Sequence, residues 1–196
     1  ALVVGAAGLG KSRLRHELGR QLTAAHPALR VWNGRGDVLR AASPYGVWAV
    51  IVRQLAAIAS GESAAQQAGR LATTIGALCP DREVARRVAP FLGELAGVDL
   101  DHDQRLAAAR RDPVILADLV RTAFVDFLAQ VTADQPLLVL LDDLQWSDAP
   151  SIRLLDSALL ALEDRPLAVV AFARPELHDL FPRLFVERAV QEVRLT

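Results

Sequence analysis

Lys11 is the only lysine of this 196-residue chain, against 21 arginines, and it stands in the run Gly5-Ala6-Ala7-Gly8-Leu9-Gly10-Lys11-Ser12. A compact ammonium suits the inside of a tight phosphate-wrapping loop, where the planar arginine fork is a poor substitute. The run matches the spacing GxxxxGK[ST], and each letter has a physical job. Gly5, Gly8 and Gly10 permit backbone angles closed to other residues, so peptide N–H groups can turn inward around phosphate oxygens. Lys11 is expected to reach the β- and γ-phosphates of a nucleotide, and Ser12 to offer its hydroxyl to magnesium. The helix that follows points its positive end at the same anion.

Such a loop implies nucleotide binding; hydrolysis needs in addition a metal ligand and a group that aims or deprotonates the attacking water. Asp142-Asp143 supplies both types of group. The pair follows five consecutive apolar residues, Leu137 to Leu141. That puts it at the carboxyl end of a buried strand, the edge where open parallel sheets bind ligands. Asp142 is expected to hold magnesium, and Asp143 to position the water or act as general base. Arg174 follows another apolar strand at the same edge. If that strand lies beside the one ending in Asp142, Arg174 faces the phosphates and can neutralise charge as the bond breaks. Downstream of the acids, Asp148 reads as a helix N-cap with Pro150 in the first turn, and Trp146 as a wedge holding the loop to the core.

Five strand-like runs position these groups, at residues 1–4, 28–33, 136–142, 166–172 and 190–195. Helical patterns separate most of them, and strands alternating with helices indicate a parallel sheet covered on both faces. The run 137–141 is apolar throughout, as a strand in the middle of the sheet should be. Leu14, Leu18 and Leu22 recur at helical spacing after the phosphate loop. Residues 44–135 are too long for a simple crossover and read as a helical insertion between the second and third strands. Gly61, Cys79-Pro80-Asp81, Gly97 and Asp112-Pro113 divide it, and Ser43-Pro44-Tyr45 reads as the N-cap of its first helix.

The length suits one domain over residues 1–196, and the hydrophobic fraction of 52% suffices for a core. Net charge is −1 with scattered arginines, so no basic stripe for nucleic acid is present. No apolar run approaches the roughly 18 residues of a membrane span, and the first residues lack a signal-peptide pattern. A cytoplasmic location without membrane association is expected. The single cysteine, Cys79, excludes an internal disulfide and reads as a small buried hydrophobe. With no methionine and a strand running straight into the phosphate loop, the chain reads as a piece of a larger protein.

Four segments carry a family resemblance: GAAGLGKSRL at 5–14, RGDVLRAASPY at 35–45, PLLVLLDDLQWSD at 136–148 and FARPE at 172–176. Together they resemble the AAA-type ATPase domain of the STAND class of signalling P-loop NTPases, over nearly the whole chain. The LDDxQWxD segment is the more specific part, since many unrelated ATPases share the phosphate loop. Ala6 stands where many relatives carry Glu. The resemblance implies an α/β P-loop NTPase three-layer sandwich with a five-stranded parallel sheet. It implies ATP and Mg2+ as cofactors, with Gly5, Gly8, Gly10, Lys11 and Ser12 on the nucleotide and Ser12 and Asp142 on the metal. Asp143, Lys11 and Arg174 would serve catalysis. Relatives with this domain include bacterial LuxR-type transcriptional regulators and fusions to nucleotide cyclases or protein kinases. A slow ATPase that switches a self-associating regulator is therefore expected. Rival expectations are a non-hydrolysing nucleotide-dependent scaffold and a P-loop kinase acting on a small acceptor.

Overall fold

Period-two alternation along the apolar strands decides the architecture. In β3, Leu137–Asp142, all six residues are buried, and successive side chains go to opposite faces of the sheet. Leu137, Val139 and Leu141 join the larger core, while Leu138 and Leu140 join Val3 and Phe172 in a smaller one on the other side. The computed structural model describes residues 1–38, 43–98, 103–182, 184–185 and 190–196. Positions 39–42 of the RGDVLRAASPY segment lie outside them.

The described strands form one parallel sheet in the order β2-β3-β4-β1-β5. β1 is Leu2–Val4, β2 Arg30–Arg35, β4 Leu167–Ala173 and β5 Glu192–Arg194. The expected five-stranded α/β fold is thus observed, with a helical layer on each face. β3 is an inner strand; the geometric centre belongs to β4. Helix α1, Lys11–Ala25, lays Leu18 and Leu22 against the smaller core. Among the described residues five α-helices separate β2 from β3: α2 Gly46–Leu55, α3 Ala64–Leu78, α4 Arg82–Ala96, α5 Gln104–Ala109 and α6 Pro113–Asp134. They contribute to the larger core together with α7, Ala149–Ala161. A short α8, Leu177–Leu180, follows β4.

The breaks fall where turn chemistry places them. Gly97 takes φ 63° and ends α4, while Asp112 caps α6 ahead of Pro113. Two boundaries differ from expectation. β2 runs to Arg35 and pairs it with Asp142, beyond the strand-like run 28–33. Gly34 looks like a break, yet it is glycine because α2 crosses there: a Cβ would lie 2.9 Å from both Ile51 Cδ1 and Leu141 Cδ2. Ser43 does not cap α2. The helix begins at Gly46 after Tyr45, which sits at φ 64°, and its first N–H groups are met from afar. The Asp148 carboxylate accepts from Tyr45 N and Gly46 N at 2.8 Å each while also capping α7 through Ser151 N and Oγ. Asp148 therefore has the N-cap role expected of it, doubled. Among the described residues no helix is long and apolar enough to cross a membrane.

Candidate functional site

The chain leaves β1 through Gly5, whose N–H donates to Ala173 O at the end of β4, 3.1 Å away. Gly5 and Arg174 thus emerge side by side from neighbouring strands. Gly8 and Gly10 lie at φ 86° and 79°, the left-handed region where a side chain would strain the loop. Gly10 precedes α1 without a side-chain cap, so the helix start presents its peptide N–H groups toward the loop. Lys11 is the buried residue of that first turn, and its Nζ donates to Gly5 O and Ala6 O, both at 2.7 Å. The ammonium is held inside the loop by two of the loop's own carbonyls. Ser12, next to it, is exposed.

Asp142 ends β3 and is only 3% exposed. Burial of a carboxylate is costly unless it is compensated, and two neighbours compensate this one. Its Oδ1 accepts from Asp143 N at 3.1 Å, and its Oδ2 lies 3.3 Å from Arg15 Nε. Arg15 is one turn beyond Lys11 on the same face of α1, and it also donates to Asn33 Oδ1 on β2 at 2.7 Å. The ion pair ties Asp142 to the helix that begins with Lys11 and Ser12.

Asp143 turns the chain out of the strand at φ 51°, a left-handed conformation that aspartate tolerates better than most residues. Arg35 donates to its Oδ2 through Nε and Nη2, at 3.0 and 2.9 Å, and Gln145 Nε2 donates to its Oδ1 at 3.2 Å. Gly36 N donates to Asp142 O at 2.9 Å, and a Cβ on Gly36 would overlap the Asp143 carbonyl oxygen. Only glycine allows the chain leaving β2 to pass so close to the acidic turn. Arg174 is half-buried, and its N–H donates to Gln145 Oε1 at 3.1 Å. Asp143, Arg174, Arg35 and the half-buried Trp146 line one cleft of about 550 Å³. A larger groove of about 770 Å³, between α6, α7 and the segment after β4, contains none of the expected nucleotide, metal or catalytic residues.

Every candidate residue therefore lies at the carboxyl edge of β1, β3 and β4 or at the start of α1. Arg15, Arg35 and Gln145 belong to the same constellation and were missed by sequence reasoning. Arg15 had a usable signal, its four-residue spacing from Lys11. Arg35 was hidden by the glycines on either side. Cys79 is buried at the end of α3, as expected, and burial pushes its thiol up to about 11.

Ser12 and Asp142 are the donors expected for a metal ion. Among the described residues no group of three His, Cys, Asp or Glu side chains converges to hold a metal alone. One buried carboxylate and one exposed hydroxyl suit magnesium, which takes one or two protein ligands and fills its octahedron with water and phosphate oxygens. The residues fit that ion.

A family model described as AAA ATPase domain matches residues 1–170. The chain belongs to this family: it is an AAA-type P-loop ATPase domain, and membership implies nucleotide binding. Comparisons with curated proteins and with solved structures returned no match.

Proposed function

We propose that this domain binds Mg-ATP, hydrolyses it slowly and uses the bound nucleotide to switch a self-associating signalling ATPase of the STAND class, a LuxR-type transcriptional regulator. The observation that carries this reading is the common edge: Gly5, Asp142-Asp143 and Arg174 leave adjacent parts of one sheet, and Arg15 ties Asp142 to the helix of Lys11 and Ser12. In this reading Lys11 exchanges the Gly5 and Ala6 carbonyls for phosphate oxygens, while the glycine loop and the start of α1 contribute N–H donors. Ser12 and Asp142 would hold magnesium, which when bound screens the charge on the β- and γ-phosphates. Asp143 aims a water, and Arg174 stabilises charge on the transferred group.

Little covalent chemistry is asked of the protein; positioning and electrostatics supply the rate. Switching requires that ATP and ADP prefer different conformations, since equal affinity for both shifts nothing. The test is calorimetric ATP binding, with and without magnesium, and phosphate release by the full-length protein. Magnesium-dependent binding with slow turnover, lost turnover but retained affinity in Asp143→Asn, and lost affinity in Lys11→Ala are expected. ATP affinity indifferent to Lys11 would overturn the reading. A promoter-binding output that responds to ATP against ADP tests the regulatory half.

A further inference from the structure

Gln145 is buried at 3% exposure in the 3-10 turn Leu144–Trp146, yet the proposed chemistry gives it no task. Its side chain spans two groups that do have one. The amide nitrogen meets Asp143 Oδ1, and the amide oxygen meets the peptide N–H of Arg174, 29 residues further along the chain. A carboxylate offers only acceptors and a peptide N–H only a donor, so the bridge needs a side chain with one of each. Glutamate keeps the acceptor toward Arg174 but sets a second negative charge against Asp143. Leucine keeps neither bond. The other partner of Asp143 is of a different kind: the Arg35 side chain is 72% exposed, and such solvated pairs hold geometry weakly.

We propose that Gln145 is a positioning residue for hydrolysis, its amide fixing Asp143 and the peptide of Arg174 together so that the water-aiming acid and the arginine-bearing strand end keep one spacing. This rests on the ATPase reading above. Asp143 Oδ1 is held from the dry side of the turn, which leaves Oδ2 as the oxygen free to exchange Arg35 for water. A small displacement of such a group costs far more in turnover than in nucleotide affinity.

The experiment measures steady-state ATP hydrolysis and ATP affinity in the full-length protein for Gln145→Leu, Gln145→Glu, Asp143→Asn and the double variant Asp143→Asn with Gln145→Leu. Gln145→Leu should lower kcat about 10- to 100-fold, with the ATP Kd within about threefold of wild type. Added to Asp143→Asn, it should lower the residual kcat by clearly less than the factor it costs alone, because the part of its action that runs through the carboxylate is already lost. Losses that multiply, or a Kd that weakens as much as kcat falls, overturn the proposal. Should Gln145→Leu fail to fold, Gln145→Glu carries the test: kcat must fall with affinity kept, and an unchanged kcat overturns the role. An Asp143→Asn variant as active as wild type removes the task of the acid, and with it this proposal but not the ATPase reading; that reading fails, and this one with it, if the wild-type protein neither binds nor hydrolyses ATP. An inactive Asp143→Asn beside a fully active Gln145→Leu sinks only the role of Gln145.

Discussion

Arg15 Nε lies 3.3 Å from Asp142 Oδ2 and makes no aligned hydrogen bond there, so charge rather than bond geometry holds the end of β3 to the first turns of α1. A buried carboxylate stripped of the cation paired with it is destabilising, by 3–5 kcal/mol where both partners are fully enclosed. The Arg15 side chain is 25% exposed, which moderates that cost. Arg15→Ala should lose about 1–2 kcal/mol, read from urea unfolding at pH 7. A change below about 0.5 kcal/mol would mean that Asp142 reaches water and has no need of Arg15.

Lys11→Ala should separate binding from folding. The bonds lost are to carbonyls of the phosphate loop, so the melting curve should stay close to wild type. ATP affinity should fall about 100-fold or more, equivalent to about 2.7 kcal/mol. Titration calorimetry and thermal unfolding on the same preparation check the two halves.

Arg174→Ala tests the strand-end arginine. The peptide N–H that meets Gln145 survives this substitution, so the loss reports the guanidinium alone. Hydrolysis should slow by about 10- to 1000-fold while ADP affinity changes by less than about threefold. Equal losses in rate and ADP affinity would reassign Arg174 to folding.

Asp148 offers a stability test against an internal standard. Asp112 caps one helix, α6, through Val114 N and Ile115 N, and Asp112→Ala should cost about 1 kcal/mol. Asp148 serves two helices and the Ser151 hydroxyl, so Asp148→Ala should cost about 2–4 kcal/mol. Similar losses in the two variants would show that Tyr45 N and Gly46 N find other acceptors.

Cys79 sets a pH signature. Its thiol is pushed up to about 11 from an ordinary 9.0 because burial disfavours the thiolate. The folded state therefore holds its proton longer than the unfolded state. The stability this contributes is present below about pH 9 and is lost as pH rises toward about 11. Cys79→Ala should flatten that part of the stability curve, and a thiol reagent at pH 8 should label wild type only as fast as the chain opens. Rapid labelling of the native state would contradict the burial.

Local spacing made much of this protein legible. The phosphate loop, the acids after an apolar strand and the alternation of strands with helices each leave a pattern within a dozen residues. What stayed hidden depends on contacts between distant segments. Gly34 reads as a break and is a strand residue because Ile51 and Leu141 close over it. Arg35 finds Asp143 across 108 positions, and Tyr45 finds Asp148 across 103. Spacing along the chain carries no trace of such pairs, so the acids could be anticipated but not the groups that hold them.

The shared carboxylate of residue 148 also constrains any remodelling of the molecule. Because one side chain satisfies the start of α2 and the start of α7 together, the block of helices between β2 and β3 is not a detachable module. Transplanting it into another core of this kind, or trimming it away, strands either two peptide N–H groups or their acceptor in a dry seam. A chimera of such domains has to exchange the helices and the turn after the acids as one piece.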